Sequence, residues 1–354
     1  MKGRKMTELT GKERVQKLFK KEPLDTMPCF SGQGAVVVQA IEKMGTQFAK
    51  IHTDARLMAE SAITSARMFG MDAVVIPYDM AVVAEAMGRG VSLYENADGV
   101  LYPTVPNKWK TLDEIDIPKD FMSKGRLPMV EEAFKIIKEE APELAVGAWV
   151  LGPFTMAGQI MELDILLKGV KKHKDQINAF LTEVTDITID LVKRYQELDV
   201  DFISVRDMGS GTDLLSPRMW KTLVGPNLKR VFDTITCVPS VNHICGSTDM
   251  IIQMMHDCGA DALSVDQKNN VIETREKLGN DVLIFGNFDP YSTLCQLEDQ
   301  AEVEAVIKKC IDDGQDSIWP GCDIWPEIRE ENMRTYVKTV KEYGKKPSPA
   351  VGRL

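Results

Sequence analysis

Short apolar runs alternate with amphipathic helical stretches along the chain, and this alternation constrains the fold more than any other feature. The runs fall at about 27–30 (MPCF), 72–76 (DAVVI), 145–150 (AVGAWV), 201–206 (DFISVR), 238–243 (VPSVNH), 261–265 (DALSV), 281–286 (DVLIFG) and 315–319 (QDSIW). Several are almost wholly apolar, as parallel strands buried on both faces must be. Between them, stretches such as 129–140 (MVEEAFKIIKEE) and 178–197 (NAFLTEVTDITIDLVKRYQE) repeat apolar residues every three or four positions, the spacing of a helix that covers a sheet. Eight such units in 354 residues predict an α/β fold, a closed (β/α)8 TIM barrel with an N-terminal helical extension. A doubly wound open sheet is the competing arrangement, but no glycine-rich dinucleotide turn follows the first strand. The segment 91–105 (VSLYENADGVLYPTV) alternates around Ala97-Asp98-Gly99 and predicts a hairpin insertion between strands 2 and 3. No low-complexity tract or linker divides the chain, so residues 1–354 read as one domain with its core at about 8–345.

The balance of 43 basic against 53 acidic residues, a net charge of −10, argues against nucleic acid or an anionic membrane as the main partner. No apolar run approaches the roughly 18 residues of a membrane span. The N-terminus, MKGRKMTELTGKERVQ, lacks the apolar core of a signal peptide, so a cytoplasmic protein is expected. Seven cysteines, an odd number in a large chain of that kind, do not suggest a disulfide framework.

The chemistry-bearing residues cluster just past strand ends. His243 closes the fifth run and Cys245 follows it in NHICGS, while Cys322 follows the eighth run in WPGCDIWP. In a barrel, the C-terminal ends of all strands converge on one face, where active sites form. One imidazole and two thiolates make a three-ligand Zn2+ site with an open fourth position, the pattern of catalytic zinc. Asp266, after the sixth run, could fill that position at rest. Alone, each of these residues reads as a core thiol or a hydrogen-bonded histidine; together, on the loop side of strands, they favour metal. Cys29, Cys237, Cys258, Cys295 and Cys310 receive no role, and His52, His173 and His256 read as solvent-facing or packing residues. Zinc of this kind lowers a bound thiol's pKa from about 8.5 until the thiolate dominates, or acts as a Lewis acid on oxygen. Two thiolate ligands suit the first job better, which favours alkyl transfer to sulfur.

At these residues the chain resembles the methylcobamide:coenzyme M methyltransferases of the uroporphyrinogen decarboxylase superfamily. NHICGS and the later PGC match their zinc motif. The opening ERVQKLFKKEPLDTMP supports the resemblance, and PYDMAVVAEAMG (77–88), LGPFTMA (151–157), LLSPRMW (214–220) and GNFDP (286–290) are superfamily-level marks that say little about substrate. The resemblance implies a barrel, zinc on His243, Cys245 and Cys322, and a methyl group carried by a corrinoid (methylcobalamin-type) cofactor. The chain has no Asp-x-His-x-x-Gly cobalamin-ligating motif, so the corrinoid is expected on a partner protein. Asp266, Tyr78 and Asp207 are the expected catalytic residues, and Trp149, Arg206, Asn287, Trp319 and Trp325 the expected substrate contacts. Uroporphyrinogen decarboxylation itself is disfavoured, because PCFSGQGAV carries no arginine for a many-carboxylate substrate.

The aromatic rim and Arg206 leave the substrate open. They suit a flat, partly anionic molecule such as a methoxylated benzoate or a pterin; the competing readings are rim packing for the tryptophans and a salt bridge from Arg206 to Asp79 or Asp207. The favoured reaction is methyl transfer to a thiol such as coenzyme M. A donor-side enzyme, passing methyl from a methoxylated aromatic to cobalt(I), is the alternative. Further alternatives are a cobalamin-independent methionine synthase-like enzyme, for which the chain is short, and a non-catalytic corrinoid-protein partner.

Overall fold

The structure, a computed structural model, describes residues 8–352. Its centre is one parallel sheet whose seven strands follow one another in space as in sequence. They are β1 (Ala73–Ile76), β2 (Ala145–Leu151), β3 (Phe202–Arg206), β4 (Ser240–Ile244), β5 (Ala262–Val265), β6 (Leu283–Phe288) and β7 (Ser317–Pro320). Apart from Asn287 every strand residue is buried, which their Val, Ile, Ala and Phe content makes favourable on both faces. Helices including Ala55–Phe69, Leu127–Glu140 and Lys174–Glu197 occupy the crossovers and carry the expected amphipathic stretches. The sheet curls into a TIM-type barrel preceded by helices Gly11–Phe19 and Val38–Met44.

The expected first strand, 27–30, belongs to no helix or strand and forms no ladder. Pro28 has no N–H to give to a neighbouring strand. Single contacts hold the segment between β7 and β1 instead. The Asp72 amide donates to the Cys29 carbonyl (2.8 Å), the Cys29 amide donates to the Asp72 carboxylate (2.7 Å), and Ser317 Oγ donates to the Pro28 carbonyl (3.1 Å). The barrel therefore has seven laddered strands with an irregular segment in the eighth place. The expected insertion between β1 and β2 is likewise reduced to one antiparallel bridge, Ser92 with Thr104. Pro103 beside it cannot donate, so the pairing does not spread. Among the described residues no helix is long and apolar enough to cross a membrane.

Aromatic rings fill the barrel interior. Phe30 meets Phe202 at 5.4 Å and Trp319 at 5.0 Å between centroids, and Phe285 meets Trp319 at 4.8 Å. Glycines make room for them: a Cβ on Gly147 would lie 2.3 Å from the Phe202 ring, and one on Gly32 would lie 2.3 Å from Trp319. Gly147→Ala should therefore lower folding stability by about 1–3 kcal/mol, measured by urea denaturation, although alanine is the better strand residue. Adding Phe202→Leu should restore part of the loss. An unchanged midpoint in the single variant would show that the core yields freely here.

Candidate active site at the carboxyl ends of the strands

Parallel register brings the three expected ligands together. β4 ends with His243 and Ile244, and β7 ends two residues before Cys322. His243 Nε2 lies 3.1 Å from Cys245 Sγ, which lies 3.2 Å from Cys322 Sγ, although 77 residues separate the two cysteines. Both thiols are free. The imidazole is fully buried, and its Nδ1 sits 2.9 Å from Ser264 Oγ, the residue facing it across the β4–β5 ladder. Gln33 Nε2 approaches His243 Nε2 to 2.8 Å. Burial, with the Arg206 charge nearby, pushes the imidazole pKa well below its ordinary value and keeps the ring neutral, the form that can ligate. The hydrogen bond between the two sulfurs splits their acidities, lowering Cys322 and raising Cys245, with burial adding to the rise.

Among the described residues no three His, Cys, Asp or Glu side chains surround a metal position as they stand. Bonds of about 2.3 Å to sulfur and 2.0–2.1 Å to nitrogen put tetrahedral ligands roughly 3.5–3.8 Å apart. The 3.1 and 3.2 Å here are the separations of hydrogen-bonded neighbours. The donor types fit zinc, and these two pairs would have to part by about half an ångström to admit it.

The remaining expected residues divide sharply. Both carboxylate oxygens of Asp266 accept main-chain hydrogen bonds at 2.9 Å, from Gly246 and Lys268, so the side chain braces the turn after Cys245. Asp207 is fully buried and accepts from the Thr155 amide (2.7 Å) and the Phe154 amide (3.4 Å), capping the helix Pro153–Ile160. The Tyr78 hydroxyl donates to the Met58 carbonyl (2.9 Å) and meets Ser61 Oγ (3.0 Å), while its ring faces a cavity. Asn287 ties the Asp266 and Asn269 carbonyls together (3.2 and 3.0 Å) and does not line that cavity. Nor does Trp319, which is wholly buried in the barrel core.

Trp149, Arg206 and Trp325 do come together, lining a cavity of about 260 Å3 with Tyr102, Asp323 and Gln33. Trp149 donates its indole N–H to the Pro77 carbonyl and lies 4.8 Å beneath the Arg206 guanidinium. Trp325 is half-exposed at the rim, 5.3 Å from Tyr291. Arg206 pairs with neither Asp79 nor Asp207 but with Asp323, at 2.7 Å. Asp79 instead binds Arg126 (2.8 Å) and His52 (3.1 Å). Burial opposes the Asp79 charge, yet His52 and Arg126 together hold its pKa below the usual value. His52 is thus a fully buried member of an ion network, the packing rather than the solvent-facing alternative. Gln33 and Asp323 escaped the sequence reading, although Asp323 adjoins Cys322 and Gln33 stands in the segment noted for lacking arginine.

Asp207 gives a pH dependence with a definite sign. Burial, the largest influence, outweighs the lowering by Thr155 and Phe154 and raises its pKa from 3.8 to about 6. A raised carboxyl favours folding most fully below the unfolded value, and that contribution is lost as pH rises through about 6. Between pH 4 and 7 the loss is about 3 kcal/mol at most. Asp207→Asn should flatten this part of the stability–pH curve, measured by denaturant titration at each pH. An identical slope in both proteins would exclude Asp207 as its source.

The profile of the uroporphyrinogen decarboxylase (URO-D) family matches residues 10–343. The chain is 29% identical over 341 residues to the methylcobamide:CoM methyltransferase MtaA of Methanosarcina barkeri, spanning 96% of this chain and 99% of that one. It is 30% identical over 347 residues to the methylcobamide:CoM methyltransferase MtbA of Methanosarcina mazei, with the same coverage of 96% and 99%. A solved structure of a methyltransferase from Methanosarcina mazei is similar with a TM-score of 0.88 at 28% identity, covering 95% of this chain and 99% of that one. The chain belongs to the uroporphyrinogen decarboxylase family, as a methylcobamide:coenzyme M methyltransferase-like member and an enzyme of the methyltransferase class.

Proposed function

We propose that this protein moves a methyl group between a methyl-corrinoid protein and a small thiol, with Zn2+ held by His243, Cys245 and Cys322. The observation that carries the reading is the meeting of Cys245 and Cys322 at 3.2 Å, with His243 Nε2 3.1 Å from Cys245, on the face of the barrel where the fold does chemistry. Relatives named methylcobamide:CoM methyltransferases support the corrinoid and the thiol. Zinc, when bound, makes the substrate sulfur a thiolate near neutral pH.

The chain's own residues do the rest. Ser264 orients the imidazole through Nδ1 and leaves Nε2 toward the thiols. Asp266, through the Gly246 amide, sets the path of the chain just after Cys245. To act as a resting fourth ligand it would have to release that amide. The cavity beside Gln33 would receive the substrate between Trp149 and the half-exposed rim. Residues 1–354 act as one unit in this reading, within the cytoplasm.

Cys245→Ala should leave less than about a tenth of the metal per chain and abolish methyl transfer from methylcobalamin to coenzyme M, read by metal analysis and thiol consumption. An active, metal-free variant would sink the assignment. A second reading is favoured by the aromatic walls of the cavity: transfer from a methoxylated aromatic to cobalt(I), with zinc as Lewis acid. Parallel assays with coenzyme M and with methoxybenzoates plus cobalt(I) separate the two. Turnover of the thiol alone supports the first, and turnover of the ether alone supports the second.

A further inference from the structure

Arg206 lines the cavity, Arg126 reaches it only through Asp79, and the two buried arginines differ in how completely they are used. Arg126 gives Nε to Glu85 (2.6 Å), Nη1 to Asp79 (2.8 Å) and the His52 carbonyl (3.2 Å), and Nη2 to Asp79 (3.1 Å). Arg206, 2% exposed, gives Nη2 to Asp323 (2.7 Å) and to the Met208 thioether (3.2 Å). Its Nε is buried with no acceptor among the described residues. A buried guanidinium N–H without an acceptor is costly, and native structures seldom keep one idle. Gln33, on the same cavity, leaves its Oε1 buried and unpartnered in the same way. The counter-ion of Arg206 is the weak side of its pair: the Asp323 side chain is 54% exposed against 3% for Arg206.

We propose that Arg206 is the anion seat of this cavity, held at rest by Asp323, and that the substrate carries a carboxylate or sulfonate that displaces Asp323 from it. The inference takes its small-molecule substrate from the proposed function and needs no metal of its own. A planar carboxylate, or two oxygens of a tetrahedral sulfonate, can bridge Nη2 and Nε in the fork geometry of guanidinium, which supplies the acceptor that Asp323 does not provide to Nε. Trp149 beneath the guanidinium and Tyr102 on the wall offer faces for the apolar body of such an acid. Asp323, already half in water, leaves at little cost.

The test is binding to metal-free protein, followed by calorimetry. The probes are two acids, 4-methoxybenzoate and 2-mercaptoethanesulfonate, and their neutral counterparts, 4-methoxybenzamide and 2-mercaptoethanol. At least one acid should bind about tenfold or more tightly than its counterpart, and which one does so identifies carboxylate or sulfonate as the natural group. Asp323→Asn removes the resident anion and should tighten that acid by about fivefold while leaving the neutral compounds unchanged. Arg206→Met should erase the preference for acid, and Arg206→Lys should keep part of it. If Arg206→Met fails to fold, Asp323→Asn still decides. Acids that bind no better than their neutral counterparts, or that weaken in Asp323→Asn, would overturn the proposal. Loss of zinc binding or methyl transfer with the acid preference intact would count against the proposed function and leave the anion seat standing.

Discussion

Everything at the site depends on the parallel main-chain ladder running without interruption from β1 to β7. Each pairing places one strand's C-terminal end beside the next, so His243 faces Arg206 on one side and Ser264 on the other. Carried around the curl, the same register sets Cys322 against Cys245. A slip of one residue in β4 would turn His243 to the helix side of the sheet and separate it from both sulfurs. The packed rings of Phe30, Phe202, Phe285 and Trp319 resist such a slip from within, since each fits a gap left by a glycine or another ring.

The second organising force is charge confined beside apolar walls. Asp79 and Arg126 compensate each other below the cavity with His52 and Glu85 completing the set. Both oxygens of Asp79 are engaged in this network, while His52 Nε2 has no partner among the described residues. Arg206 and Asp323 form a pair of a different kind, one member buried and the other reaching water.

Sequence reasoning reached the barrel, its helices and the His243, Cys245 and Cys322 set because these depend on periodicity and on position relative to strand ends. It overcounted the strands by one, because 27–30 has strand-like composition but Pro28 cannot complete a ladder. Trp319 and Trp325 lie six residues apart around the same cysteine. One fills the core and the other stands at the rim, and alternation across a strand end does not determine which. Asp207 and Asn287 look like site residues by composition and neighbourhood. The structure uses both on main-chain groups, where a buried carboxylate or amide finds its donors or acceptors.

What the sequence by itself determined is therefore the class of fold and the placement of His243, Cys245 and Cys322 at the carboxyl ends of the strands, since both follow from local pattern and chain direction. Which side chains remain available was decided only by tertiary structure. Asp266 and Arg126 are consumed by near neighbours, while Arg206 keeps a buried N–H without an acceptor. Hydrogen-bond satisfaction in a closed interior is settled by three-dimensional packing, with acceptors supplied from segments distant in the chain, and no local pattern encodes it.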